Sequence, residues 1–200
     1  MRTCTRILLV LGLFLFSAGG HAQELQPEQD RDWSPYYLKT QFAGDVGLVS
    51  VGIGKQSFSQ RLETDLSLGY LPKSVGGDHI FTLALKSTLL PFKPVKVGPV
   101  DWHAFTTGMQ LGYIFGKEYF ASEKYLSRYP NSYYRFSTAF HLYLFAGGQV
   151  NFTRIEKLNR FKVYYEAGTM AKYLVSYVQN PKYLSPGKIF HLAIGAKMHL

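Results

Sequence analysis

Glu63 and Asp65 stand two residues apart, Lys86 follows, and Glu166 and Lys172 lie close together further along the chain. Two carboxylates held across a cleft are what general acid–base chemistry and glycoside hydrolysis require. In a low-dielectric interior the same groups would pair with one another, because a lone ion there shifts its protonation or destabilises the fold. Nothing beside these carboxylates marks a substrate pocket, so a structural network over Glu63, Asp65, Lys86, Glu166 and Lys172 is the expectation. The histidines give no metal site: His191 and His199 share a strand face, but eight positions separate them by about 26 Å at the rise of a strand. His79, His103 and His141 show no ligand spacing either. No metal or cofactor is expected.

These side chains sit on segments that alternate apolar and polar residues with a period of two, broken by Gly, Pro, Asn and Asp. Eight such segments follow residue 35, each about ten residues long, as barrel strands are. They run from about Tyr36 to Phe42, Gly47 to Gly54, Arg61 to Leu71, Ile80 to Leu90, His103 to Phe115, Tyr134 onward, Phe161 to Tyr177, and Phe190 to Leu200. Gly147-Gly148 in the sixth reads as either a turn or a bulge. Pro91 to Asp101 is a long connection for the side of the barrel that should carry short turns. Between the fifth and sixth segments, Gly116 to Tyr133 is the longest loop and holds Tyr119, Tyr125, Tyr129 and Tyr133. No internal repeat or second domain is evident.

The other end of the chain reads as an export signal. Arg2 and Arg6 precede an apolar run from Ile7 to Phe16, and Gly20 and Ala22 supply the small residues of a cleavage site. The run is shorter than the roughly 20 residues needed for a membrane-spanning helix, so residues 1–22 are expected to be removed. Residues 23–34 then form a periplasmic lead and 35–200 the barrel. Cys4 is the single cysteine, and its loss excludes disulfides, thiol catalysis and cysteine-bound metal in the exported chain. Removing Arg2 and Arg6 from the 22 basic residues leaves 20 against 13 acidic ones, a formal +7. The basic residues are scattered through loops rather than gathered in a nucleic-acid stripe, which fits attraction to lipid phosphates or plain solvation.

Alternation alone does not say which face meets lipid, since a lipocalin-like soluble barrel has the same period. The polar face is rich in small residues, among them Ser50, Gly52, Gly54, Ser67 and Gly69, which suit a narrow bore better than a water-facing exterior. Aromatics such as Trp102, Phe105, Phe115 and Phe161 gather near segment ends, as interfacial girdles require. An all-β, closed, antiparallel, up-and-down transmembrane barrel of eight strands is the expected fold.

On this pattern residues 36–200 resemble the small outer-membrane barrels, the OmpA transmembrane domain and its OmpX-like relatives, with the lipid A-modifying barrel enzymes beside them. The resemblance is architectural. It implies a Gram-negative outer membrane, lipid and lipopolysaccharide as surroundings, barrel-assembly machinery as the partner in insertion, and a monomer. Gly195, Met198 and Leu200 resemble the insertion signal of such barrels, with Leu200 where that signal usually ends in Phe. Relatives that deacylate lipid A carry His-Ser-Asn in a strand, whereas this chain has Phe140-His141-Leu142-Tyr143. Those that transfer palmitate use His, Asp and Ser near the rim, for which Ser74, Asp78 and His79 are the clustered candidates. A bore of eight strands is filled by side chains, so a general porin is disfavoured. A non-enzymatic role in envelope integrity or surface contact is the expectation, with lipid A acyl transfer and a soluble ligand-binding barrel as alternatives.

Overall fold

The computed structural model describes residues 34–116, 139–179 and 186–200. Residues 1–22, the lead up to Trp33 and most of the Gly116 to Tyr133 loop lie outside them. Within the described residues the strands are β1 (Tyr36–Ala43), β2 (Val49–Ser57), β3 (Leu62–Leu71), β4 (Ile80–Leu89), β5 (Val95–Val97), β6 (Val100–Phe115), β7 (Phe140–Asn151), β8 (Phe161–Met170) and β9 (His191–His199). Three helices complete the set: α1 (Lys73–Gly76), α2 (Ala171–Gln179) and α3 (Pro186–Ile189).

Every strand but β5 pairs antiparallel with both neighbours. The wall runs β1-β2-β3-β4-β6-β7-β8-β9, and β9 returns to β1 through pairs such as Thr40↔Ala196 and Tyr37↔His199. The fold is a closed, antiparallel, up-and-down barrel of eight strands, and closure leaves its wall without an edge. The alternation that defines each strand also sorts its side chains. In β1, Tyr37, Lys39 and Gln41 are buried while Tyr36, Leu38 and Phe42 are exposed, and β3 repeats this with Glu63, Asp65 and Ser67 against Leu66 and Leu68. Most large aliphatic side chains therefore face outward, and polar and charged ones fill the bore together with Tyr37, Tyr143, Tyr164 and Phe145.

Up-and-down order gives the barrel two different ends. One, here the loop end, collects the β1–β2 turn, α1, α2 and α3. The other, the terminal end, collects Ser34, Leu200 and the turns after β2, β4 and β7. The turn after β2 holds Phe58, Ser59 and Gln60 at φ of 52°, 53° and 65°, a left-handed path with no glycine to relieve it.

Three expectations are corrected. The seventh segment does not continue to Tyr177; β8 ends at Met170 and Ala171–Gln179 is helical. Ala171, Leu174, Val175 and Val178 fall at helical spacing, and that period prevails over the alternation once the chain leaves the wall. The long Pro91 to Asp101 connection, expected as a turn between strands, contains a strand of its own: Val95–Val97 folds back on Val100–Trp102 as a hairpin whose turn contains Gly98 at φ 55°. In the sixth segment Gly147-Gly148 neither turns nor bulges. The irregularity lies opposite, in β6 between His103 and Thr106. The expected start of that segment, Tyr134 to Thr138, falls outside the described residues.

Candidate functional site: the charged bore

The bore holds buried Lys39, Lys86, Lys162 and Lys197 together with Glu63, Asp65 and Glu166. The side chain of Asp45 is fully enclosed as well, and Asp101 is buried toward the terminal end, paired with Arg154. Charges taken out of water at this density are tolerable only when paired and hydrogen-bonded. Nearest the terminal end, Glu63 accepts from Lys197 and, at 2.6 Å, from Gln56 Nε2, with Lys162 Nζ 4.0 Å away. Lys197 also donates to Gln149 Oε1 at 2.9 Å. Deeper in, Asp65 takes Lys39 Nζ at 2.6 Å, Ser67 Oγ at 3.2 Å and the Tyr37 hydroxyl at 3.3 Å, while Lys86 is bonded to Glu166. At the loop end His141 Nε2 lies 2.9 Å from Asp45 Oδ2.

These pairs join strands that are not neighbours. Lys39–Asp65 links β1 to β3, Lys86–Glu166 links β4 to β8, and Lys197–Glu63 links β9 to β3. The Tyr164 ring sits among three of the ammonium groups, 4.7 Å from Lys197 Nζ, 5.4 Å from Lys39 and 5.5 Å from Lys86, a geometry that favours cations over the ring face. Lys86 Nζ also lies 4.1 Å from the Phe145 centroid.

Glycines on the intervening strands make the reach possible. Tyr37, Gly54 and Asp65 form one row across β1, β2 and β3, and the tyrosine crosses the glycine to bond the aspartate. Tyr164, Gly195 and Gln41 repeat the arrangement across β8, β9 and β1, with the hydroxyl donating to Gln41 Oε1 at 2.9 Å. A Cβ at Gly54 would enter the Tyr37 ring, and one at Gly195 would strike the Tyr164 hydroxyl and the Thr40 carbonyl oxygen. Gly195→Ala is accordingly expected to lower stability by about 1–3 kcal/mol. Unfolding in urea from lipid vesicles measures this, and an unchanged midpoint would refute the packing argument.

Of the residues singled out in the sequence, Glu63, Asp65, Lys86 and Glu166 all point into the bore. Lys172 does not; it is exposed on α2, beyond the end of β8, because its segment left the wall two residues earlier. Lys39, Lys197, Lys162, Tyr37 and Tyr164 belong with the four, and all share the inward phase of their strands. Ser74, Asp78 and His79 do not assemble as a nucleophile, acid and base. His79 Nδ1 lies 2.6 Å from the Tyr70 hydroxyl, and Asp78 Oδ1 accepts from the His79 backbone N–H at 2.7 Å, leaving its carboxylate off the imidazole. No hydrogen bond joins Ser74 to His79. Gly195 lies under Tyr164, Met198 faces outward, and Leu200 N donates to Tyr36 O at 3.2 Å.

A depression of about 520 Å³ opens on the outer wall, lined among others by Phe42, Ala146, Tyr165, Ala167, Leu192 and Ile194. Its exposed side chains are on the outward phase of their strands, and Glu166, whose carboxylate bonds Lys86 in the bore, contributes to its lining. Among the described residues no three His, Cys, Asp or Glu side chains group as metal ligands do. The arrangement can brace a narrow barrel from within.

No protein-family model matches the sequence, and comparison with curated proteins gives no match. Among solved structures, the N-terminal β-barrel domain of Pseudomonas aeruginosa OprF is similar at 10% identity and a TM-score of 0.42, covering 84% of this chain and 99% of that one.

Proposed function

We propose that this chain is an outer-membrane barrel of a Gram-negative envelope, exported by cleavage after Ala22 and inserted with both chain ends in the periplasm. Its work there is mechanical and superficial: a rigid, filled cylinder that supports the envelope and presents its external loops. One observation carries this reading, the inversion of polarity between bore and wall. Val51 is 63% exposed, Phe42 55% and Ile53 50%, while Glu63 is 0% exposed. A soluble ligand-carrying barrel needs the reverse order, and an apolar belt of this extent would drive association in water. Closed pairing satisfies the backbone without an edge, the condition for crossing hydrocarbon with strands. β3 and β4, at ten residues each, have the length that a tilted crossing takes.

The experiment is site-directed spin labelling at Val51 and Leu66 after folding into phospholipid vesicles. High collision rates with oxygen and low rates with a water-soluble nickel complex are expected at both sites. Shielding from oxygen at both would show an enclosed cavity and overturn the reading.

A further inference from the structure

We infer that the terminal end of the barrel is a docking surface for the phosphate groups of anionic phospholipid in the adjoining leaflet. The inference rests on the membrane reading above and adds the chemistry of the lipid.

Three turns build this end, and each exposes cations beside bulky apolar side chains. The turn after β2 presents Arg61 with Phe58, which is 76% exposed. The connection after β4 presents Lys93 and Lys96 with Phe92, 66% exposed, and with Val95 and Val97. The turn after β7 presents Lys157 and Arg160 beside Leu158. Between the turns, on the outer wall, Lys55 lies over the Tyr36 ring with Nζ 5.6 Å from its centroid. Glu156 is the exposed acid among these turns.

The surface is held in shape. Arg154 is bonded to the Asp101 carboxylate and to the Gly98 carbonyl, and Thr153 Oγ1 donates to Asp101 Oδ2 at 2.5 Å. The Arg154 backbone N–H reaches Pro99 O at 3.2 Å. These bonds fasten the third turn to the β5–β6 hairpin. Phe92 packs on outward-facing Phe105, ring centroids 6.1 Å apart, so the connection lies along the outer wall. Its lysines are thereby held at the margin of the apolar belt, where their stems can lie on hydrocarbon and their ammonium groups in the headgroup layer.

A ring of cations mixed with aromatics at the edge of a lipid-facing belt matches phosphate above acyl chains. Acidic polymer in free solution would meet the charges but offer nothing to Phe58, Phe92 and Val97. The partner is thus the leaflet itself, enriched in a phosphodiester lipid such as phosphatidylglycerol.

The test uses the full exported chain carrying Trp33→Phe, which leaves Trp102, on the wall at this end, as the sole tryptophan. Folded into phosphatidylcholine vesicles doped with brominated phosphatidylglycerol or with brominated phosphatidylcholine, it reports which lipid contacts the surface. At low salt quenching is expected to show about a fivefold preference for phosphatidylglycerol, the scale of one interfacial cation. The preference should fall toward parity at high salt and in Arg61→Ser/Lys93→Ser/Lys157→Ser. It should persist in Lys73→Ser/Lys172→Ser at the loop end. Equal quenching by the two lipids in the folded protein overturns the inference and leaves the membrane reading standing. So does a preference that survives both salt and the triple substitution. If the triple variant does not fold, the salt series on the parent decides alone. Binding to purified peptidoglycan sacculi without lipid preference would give the surface to the wall polymer and equally overturn the inference. A chain that never acquires heat-modifiable migration in vesicles would remove the membrane reading and this inference with it.

Discussion

Lys86→Met is expected to lower the stability of the folded barrel by about 3–5 kcal/mol, the usual cost of stripping one partner from a buried ion pair. The lysine is 2% exposed and its bonded partner Glu166 4% exposed. Removing the ammonium leaves the Glu166 carboxylate inside a bore whose remaining cations lie with other carboxylates: Lys39 with Asp65, and Lys197 and Lys162 with Glu63. The methionine fills much of the same volume, so the loss measures the charge and not a cavity. Lys86→Met/Glu166→Leu should recover most of the loss, because replacing both members of a buried pair with apolar groups is close to neutral. Lys73→Met, exposed on α1, should stay within about 0.5 kcal/mol of the parent. Urea unfolding of the parent, both single variants Lys86→Met and Glu166→Leu, and the double variant from the same vesicles supplies the cycle, with Lys73→Met as the control. If the double variant is no better than Lys86→Met, the pair is not a unit and the picture of cross-bore braces fails.

The alternation of residues makes the wall and its polarity legible, but it cannot choose partners inside the bore. Asp65 and Lys86 are direct cross-strand neighbours in the β3–β4 ladder, the pairing that adjacency alone would give. The structure sends Asp65 to Lys39 and Lys86 to Glu166, because the bore is narrow enough for opposite strands to compete with adjacent ones. That competition depends on strand stagger, which period-two patterning does not encode. Glycines carry more information than the small size that identifies them as luminal. Gly54 and Gly195 each sit midway in a row whose outer members are a tyrosine and its bonding partner, a relation visible only once the register is known. Lys172 is misplaced by the pattern for the opposite reason. Its neighbours satisfy both a period of two and a period of 3.6, and only the end of the ladder at Met170 decides between them. The β5 hairpin is hidden by its prolines, since Pro94 and Pro99 bracket three strand residues that are too few to show a period.

Deleting Met198–Leu200 is expected to prevent closure of the barrel. β9 is the strand that converts an open sheet into a cylinder, and its last residues pair Met198 with Leu38 and His199 with Tyr37. The same residues supply His199 N–H to Arg160 O at 2.9 Å and Leu200 N–H to Tyr36 O at 3.2 Å, so both flanking strands lose their terminal contacts together. In the bilayer setting proposed above, an open wall would present unpaired N–H and C=O groups of β1 and β8 to hydrocarbon, where each costs several kcal/mol and no water can satisfy it. The lost apolar contacts of Met198 and Leu200 are small beside that. Assembly should therefore fail outright in preference to yielding a weakened barrel, and the truncated chain should show no heat-modifiable band in vesicles or in envelope fractions. Met198→Ala separates the two effects. It keeps every ladder bond and removes one outward side chain, so it should fold with nearly the parental unfolding midpoint. Normal membrane yield and migration of the truncation would mean that β1 and β8 can close without those pairs, and closure by β9 would lose its place in the account.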